Sequence, residues 1–218
     1  MGELLYLVGT STLQTLLMVL FSTIFSMILG FPLGVLLSIT KANGIMPRKV
    51  LNQVLSRVVN VLRSFPFIIL MIVLFPLSRL IVGTSIGTAA TIVPLSIAAA
   101  PFVARVIESA LNEVNPDLVQ AAKSMGSTNM QIILKVLIPE ALPSLVDGVT
   151  LTIINLIGYS AMAGTLGGGG LGDIAIRYGH YRFQPTIMWI TILVLIVIVQ
   201  IMQEIGIKVA AKMDNRLN

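Results

Sequence analysis

Long, unbroken apolar runs constrain this chain more than any other feature. Residues 13–39 carry no charged side chain, and comparable runs fill 66–82, 85–111, 142–163 and 186–209. Each lies near the length of roughly 20 apolar residues that crosses a bilayer as a helix. The runs are continuous rather than alternating, which argues against the strands of a membrane barrel. Lipid offers no partner for backbone N–H and C=O groups, so helices are the remaining spanning structure. Composition agrees: 56% of residues are hydrophobic and 11% are charged, against about 25% charged in soluble domains. The expectation is an all-α polytopic membrane protein, one domain over residues 1–218 with five spans. Gly30, Pro32 and Gly34 predict a kink late in the first span. Pro66 is placed as the first helical residue of the second span. The third is expected to be broken at Pro94 and Pro101.

Charge gives a topology. Lys41, Arg48, Lys49, Arg57 and Arg63 separate spans one and two, and Arg105, Lys123 and Lys135 separate three and four. Lys208, Lys212 and Arg216 follow span five, leaving Arg79, Arg177 and Arg182 for the opposite side. The positive-inside rule puts the N-terminus outside and the C-terminus in the cytoplasm. Tyr178, Tyr181, Phe183 and Trp189 then gather at the outer interface, where amphipathic rings sit. The net charge of +5 is accounted for by inner loops, so no nucleic-acid partner is expected. No Lys or Arg precedes the first run, which is read as an uncleaved span.

The inner connection between spans three and four has legible local chemistry. Asn115-Pro116-Asp117 combines an N-cap, a proline at the first helical position and an acid in the first turn. Leu118, Ala121, Ala122 and Met125 recur at helical spacing. Gly126 ends or bends that helix. Thr128 and Gln131 have capping-box spacing, so a second short helix begins there, and Pro139 is expected to stop it. The result is a helical hairpin over about 116–139.

The spacing within this hairpin resembles the cytoplasmic loop of the permease subunits of bacterial ATP-binding-cassette importers. That loop reads Glu-Ala-Ala, three residues, Gly, nine residues, Ile, any residue, Leu-Pro. Here the run is Gln120-Ala121-Ala122, three residues, Gly126, nine residues, then Val136-Leu137-Ile138-Pro139. Gln replaces Glu, Val replaces Ile and Ile replaces Leu. The runs RSFPFIIL (63–70), IVGTSIG (81–87), APFVARVIESAL (100–111) and GYSAMAGTLGGGGLGDIAIRYGHYRF (158–183) look like the methionine importers of this class.

The resemblance implies the type I importer fold in the bacterial inner membrane. It implies a pore of two copies of this chain, two separate ATPase subunits beneath it and an external substrate-binding lipoprotein. ATP and Mg are used by the ATPase, and this chain binds no cofactor and is no enzyme. Gln120, Ala121, Ala122, Met125, Gly126 and Pro139 are then the ATPase-coupling residues. Gln120 cannot form an ion pair, so any contact it makes is a neutral hydrogen bond, weaker than a charge-assisted one. L-methionine is the implied cargo, with D-methionine beside it and another amino acid or small solute as the alternative. In span four, Asn155, Tyr159, Ser160 and Met162 are expected along the translocation path. A polar residue at depth such as Asn155 faces protein or a pathway, and Met162 suits a pliable apolar constriction.

Other functions are disfavoured by what the chain contains. Gly167, Gly168, Gly169 and Gly170 have no adjacent Lys and fall on the outer side, so they are read as a tight, mobile outer turn at the mouth of the path rather than a phosphate cradle. No Gly-Lys dipeptide occurs, so the Lys-bearing nucleotide loop is absent. With no Cys and the single His180, neither a metal cluster nor a nucleophile–base set is expected. Glu108 and Asp147 lie near inner span ends, Glu108 within reach of Arg105. An ion-driven secondary transporter would show repeated halves and mid-span charge, and neither stands out.

Overall fold

The computed structural model describes residues 2–213; Met1 and residues 214–218, including Arg216 of the tail, lie outside them. Among the described residues every regular element is helical. Four helices are long and apolar enough to cross a bilayer: α1 (Gly2–Thr40), α4 (Thr88–Asn112), α8 (Leu142–Gly164) and α10 (Pro185–Met213). Between α1 and α4 lie α2 (Lys49–Ser64) and α3 (Phe67–Val82), joined by a bend of 102°.

Packing directions make α2–α3 the fifth crossing. Gly30 and Gly34 of α1 lie against Ala100 and Ala104 of α4, and Ser38 donates to Asn112 at 3.0 Å. Position numbers rise together, so α1 and α4 run parallel, and the chain must return across the membrane between them. Gly148 of α8 meets Val106, whereas Gly168 beyond its end meets Thr91, so α8 is antiparallel to α4. α10 returns along α8, with Gly206 against Thr150. One end of the bundle therefore collects the end of α1, the 113–141 connection and the end of α10. The other collects the start of α1, the 83–87 turn and residues 165–184.

Several local expectations are corrected. α1 runs unbroken through Pro32, and its Gly30 and Gly34 are points of close approach to α4. A Cβ at Gly30 or Gly34 would sit 2.6 Å from the carbonyl oxygen of Ala100 or Ala104. Four-residue spacing of small side chains lets helix backbones touch where lipid gives no hydrophobic drive to associate. Pro94 and Pro101 lie inside α4 without interrupting it. Pro66 is the N-cap of α3, with extended backbone, and not its first helical residue. The helix before it ends at Ser64 because a residue preceding proline is driven out of the helical region.

Arg105 fastens α2 to α4. Its guanidinium pairs with Glu108 at 2.6 Å and donates to Asn60 Oδ1 at 2.9 Å and to the Ser56 carbonyl at 3.1 Å. Leu37, Val59 and Ala104 close the apolar seam beneath these bonds.

Candidate functional site

The hairpin at the charged end is built from caps. Asn115 Oδ1 accepts from the Asp117 N–H at 2.9 Å and opens α5 (Pro116–Ser124). α5 closes with a left-handed residue: Gly126 has φ +79, Ser127 N–H reaches Ala122 O at 3.1 Å, and Gly126 N–H reaches Lys123 O at 3.0 Å. This pair of bonds satisfies helix-end carbonyls, and glycine adopts the required backbone at no steric cost. Thr128 and Gln131 then form a reciprocal capping box, at 3.3 and 2.8 Å, that starts α6 (Asn129–Ile132).

Pro139 does not stop the second arm. α6 passes into a π-helical turn (Ile133–Leu137) and then α7 (Ile138–Glu140), with α8 beginning at Leu142. Proline lacks an N–H and clashes with the carbonyl four residues back. The chain relieves this by widening the turn, and the Ile138 N–H bonds to Ile133 O. The second arm thus leads through Ala141 into a membrane span with no loop between.

The expected apolar face of α5 divides. Ala122 is buried at 3% exposure, whereas Ala121, Leu118 and Met125 face out, Met125 at 79%. Met130 and Leu134 on the second arm are exposed too. Ile132, Ile133 and Leu137 are buried, the latter two packing with Val114, Ala141 and Leu145 on Ile107 and Leu111 of α4. Gln120 instead borders a cleft of about 160 Å³ at the hairpin base, lined also by Lys41, Asn43, Asn112 and Lys123. The tip therefore presents exposed Leu, Ala and Met side chains on a rigid, capped support.

On α8, Leu151, Asn155, Gly158 and Met162 are all exposed at spacings of four, three and four residues, one continuous face of the helix. A Cβ on Gly158 would meet nothing. Ser160 lies off this face. It is buried and donates to Ile157 O at 2.8 Å, a bond within its own helix. Tyr159 stacks on Phe67 of α3, ring centroids 4.5 Å apart and planes within 6°. Asn155 and Tyr159 border a cavity of about 270 Å³ beside the α2–α3 bend. Arg63 borders it as well, although the charge pattern along the chain puts it in an inner loop. The signal available was Pro66, which marks a helix break within the second crossing.

The glycine run is a packed, hydrogen-bonded turn. Gly168 and Gly170 are buried, and Gly167, Gly169 and Gly170 have φ between +76 and +83. Gly87 N–H bonds to Gly167 O, Gly170 N–H to Gln14 Oε1 and Leu171 N–H to Thr15 Oγ1, each at 2.9 Å. Short α9 (Gly170–Ile174) folds back against the end of α8, where Gly164 faces the Gly172–Asp173 backbone too closely for any side chain. Beyond it Tyr178, Tyr181, Phe183 and Trp189 share this end, with Arg182 over the Tyr178 ring at 4.6 Å. Among the described residues no group of His, Asp and Glu is placed to hold a metal ion.

Residues 30–205 match a family described as binding-protein-dependent transport system inner membrane component. Among curated proteins, a probable D-methionine transport system permease protein of Vibrio cholerae is 56% identical over 207 residues, 95% of this chain and 92% of its own length. Its counterpart in Pasteurella multocida is 49% identical, covering 96% and 97%. Among solved structures, a chain of the MetNI methionine ABC transporter in an inward-facing conformation superposes with a TM-score of 0.97 at 42% identity, over 99% of this chain and 100% of that one. An amino acid ABC transporter crystallised with histidines shares the fold, with a TM-score of 0.74 at 18% identity.

Proposed function

The chain belongs to the inner-membrane components of binding-protein-dependent transport systems, a multi-pass transport permease subunit, and on that premise we propose that it carries methionine inward as one half of a homodimeric pore. The energy comes from two ATPase subunits that bind ATP and Mg and dock on the hairpin tips. An external substrate-binding lipoprotein delivers L-methionine, and D-methionine by the same route. The N-terminus is outside and the hairpin inside. Lys41, Arg48, Lys49, Lys123, Lys135, Lys208 and Lys212 cluster toward the hairpin end, against Arg79, Arg177 and Arg182 toward the other, which fits the positive-inside rule.

The observation that carries the reading is the continuity of the second hairpin arm with α8. A docked ATPase pair that closes on ATP brings two tips together. Because α6, the π turn and α7 lead into α8 without a loop, tip movement is passed to the face carrying Asn155, Gly158 and Met162. The exposed tip supplies contact area, chiefly Met125 and Met130, whose flexible thioethers adapt to a partner groove. Gln120, Ala121, Ala122, Met125, Gly126 and Pro139 divide the work: Ala121 and Met125 contact the ATPase, Gln120 braces the hairpin base, and Ala122, Gly126 and Pro139 shape the support. Asn155, Tyr159 and Met162 border the path, and Gly167–Gly170 hold its outer end closed against α1.

The test is uptake of labelled L- and D-methionine by cells that lack methionine uptake of their own, expressing this chain with its ATPase and binding protein. Uptake that depends on ATP and is competed by unlabelled methionine is expected. No methionine uptake, or equal competition by unrelated amino acids, overturns the reading.

A further inference from the structure

Among the described residues, Arg63 of α2 and Arg105 of α4 lie on neighbouring helices of the bundle, and they are treated differently. Arg105 is neutralised by Glu108 and held by Asn60 and Ser56. Arg63 has no carboxylate paired with it among the described residues. Its guanidinium stands 6.0 Å from the centre of the Phe102 ring. Phe102 lies 14 residues into α4 (Thr88–Asn112), so it is about 21 Å from one end of that helix and about 15 Å from the other. Arg63 is exposed in the single chain, so its charge stands on an open side of this crossing, and an ionised side chain within a membrane crossing marks a substrate or ion pathway by default.

The surroundings of Arg63 match the chemistry of an apolar amino acid. The cavity of about 270 Å³ is bordered by Arg63, Phe65, Phe67, Phe102, Asn155 and Tyr159. It is smaller than the roughly 300–1,000 Å³ of pockets for drug-sized ligands, a size fit for one small metabolite. Guanidinium forks take carboxylates in bidentate fashion, and the ring walls suit an apolar or thioether side chain. The α2–α3 break adds polarity of both signs. The last carbonyls of α2 lack intrahelical donors and accept from an ammonium group, while the first N–H groups of α3, uncapped by any side chain, donate to a carboxylate.

We propose that this cavity is an intramembrane substrate site, in which Arg63 binds the α-carboxylate of an amino acid whose side chain lies among Phe67, Phe102 and Tyr159. It rests on the reading of the chain as an amino-acid permease and names the group that holds the cargo on its way through. Asn155, on the open face of α8, moves with the hairpin arm, so ATPase movement opens and closes the site. A cation with no acidic neighbour also disfavours basic amino acids, whose second positive charge has no partner.

The test uses the full complex in lipid nanodiscs and a photoactivatable methionine bearing a diazirine in its side chain. Label is expected on this chain in peptides spanning 62–70 or 155–159. Excess methionine abolishes it, and methioninol, in which an alcohol replaces the carboxylate, competes at least tenfold less well. Arg63→Gln lowers labelling about tenfold, and Arg63→Lys retains most of it; both are accepted only if they co-purify with the ATPase. Equal labelling of Arg63→Gln, equal competition by methioninol in the wild type, or label confined elsewhere overturns the site. If the wild-type complex takes up methionine but labels elsewhere, only this inference falls. If it takes up none, the substrate reading falls and this site with it.

Discussion

The hairpin tip and the glycine run lie at opposite ends of one bundle, and both are rich in small and turn-forming residues. Their environments are inverted. At the tip, apolar side chains stand in the open: Met125 is 79% and Met130 63% exposed. In the glycine run, backbone itself is buried, and the places where side chains would be are occupied by Ala163, Thr91, Thr15 and Met18. Gly126 is left-handed with open space around it, whereas Gly170 is left-handed and crowded. The same residue type thus serves a turn in one region and close packing in the other. A surface kept open suits a partner that binds and moves; a filled node suits a point that must not move.

That contrast is broken most directly at Gly170. A side chain there meets Thr15 Oγ1 at 2.6 Å and Met18 Cε at 2.7 Å, with φ at +78. Left-handed strain of about 1–2 kcal/mol adds to an overpacking cost of about 1–3 kcal/mol. Gly170→Val should therefore lose about 3 kcal/mol or more, read as a fall in thermal midpoint and yield of the solubilised complex. Gly126→Val carries only the backbone strain, about 1–2 kcal/mol, because nothing lies within 4 Å of its Cβ. The subunit should still insert, and the hairpin should become more protease-sensitive while the bundle does not. Equal damage from the two substitutions would erase the distinction between node and turn. Thr128→Ala comes next. Removing one half of the capping box costs typically about 1 kcal/mol, confined to the start of α6, and hydrogen exchange at residues 129–132 is the measurement.

Legibility in the sequence followed locality. The caps at Asn115 and Thr128 and the turn at Gly126 depend on neighbours within a few positions, and all three stand where their spacing puts them. The spans follow from bulk apolarity, and the structure extends α1 and α10 by several residues beyond the runs. What could not be read depended on distant partners. The glycine run bonds to Gln14 and Thr15, 156 residues upstream. The partners of Gly30 and Gly34 on α4 are invisible from α1 alone. Pro139 reads as a helix stop by a rule drawn from isolated helices. Here α4 holds both sides of the π turn in place through Ile133 and Leu137, and the helix continues past it. Arg63 counts as a loop charge until α2, packed on α4 through Ser56 and Asn60, brings it beside Phe102.

The smallest expected effect on folding is the most informative for the tip. Met125 is 79% exposed, and substitutions at such positions usually change stability by no more than about 0.5 kcal/mol. Met125→Glu should leave insertion and thermal midpoint as they are. If the tip is an ATPase contact, a carboxylate there is desolvated against a surface shaped for an apolar side chain, and removing charge from water without a partner is costly. Co-purification with the ATPase should weaken and ATP-driven uptake should fall at least tenfold, with the permease present in normal amount. Ala121→Glu should behave alike, since Ala121 is exposed. Ala122→Glu should not, because Ala122 is 3% exposed and its substitution damages the hairpin itself. The pattern across neighbouring positions separates a binding surface from a structural one: an interface responds at 121 and 125 with the fold intact, whereas a mere structural loop responds only at 122. Full transport by Met125→Glu and Ala121→Glu would place the docking surface somewhere other than this tip.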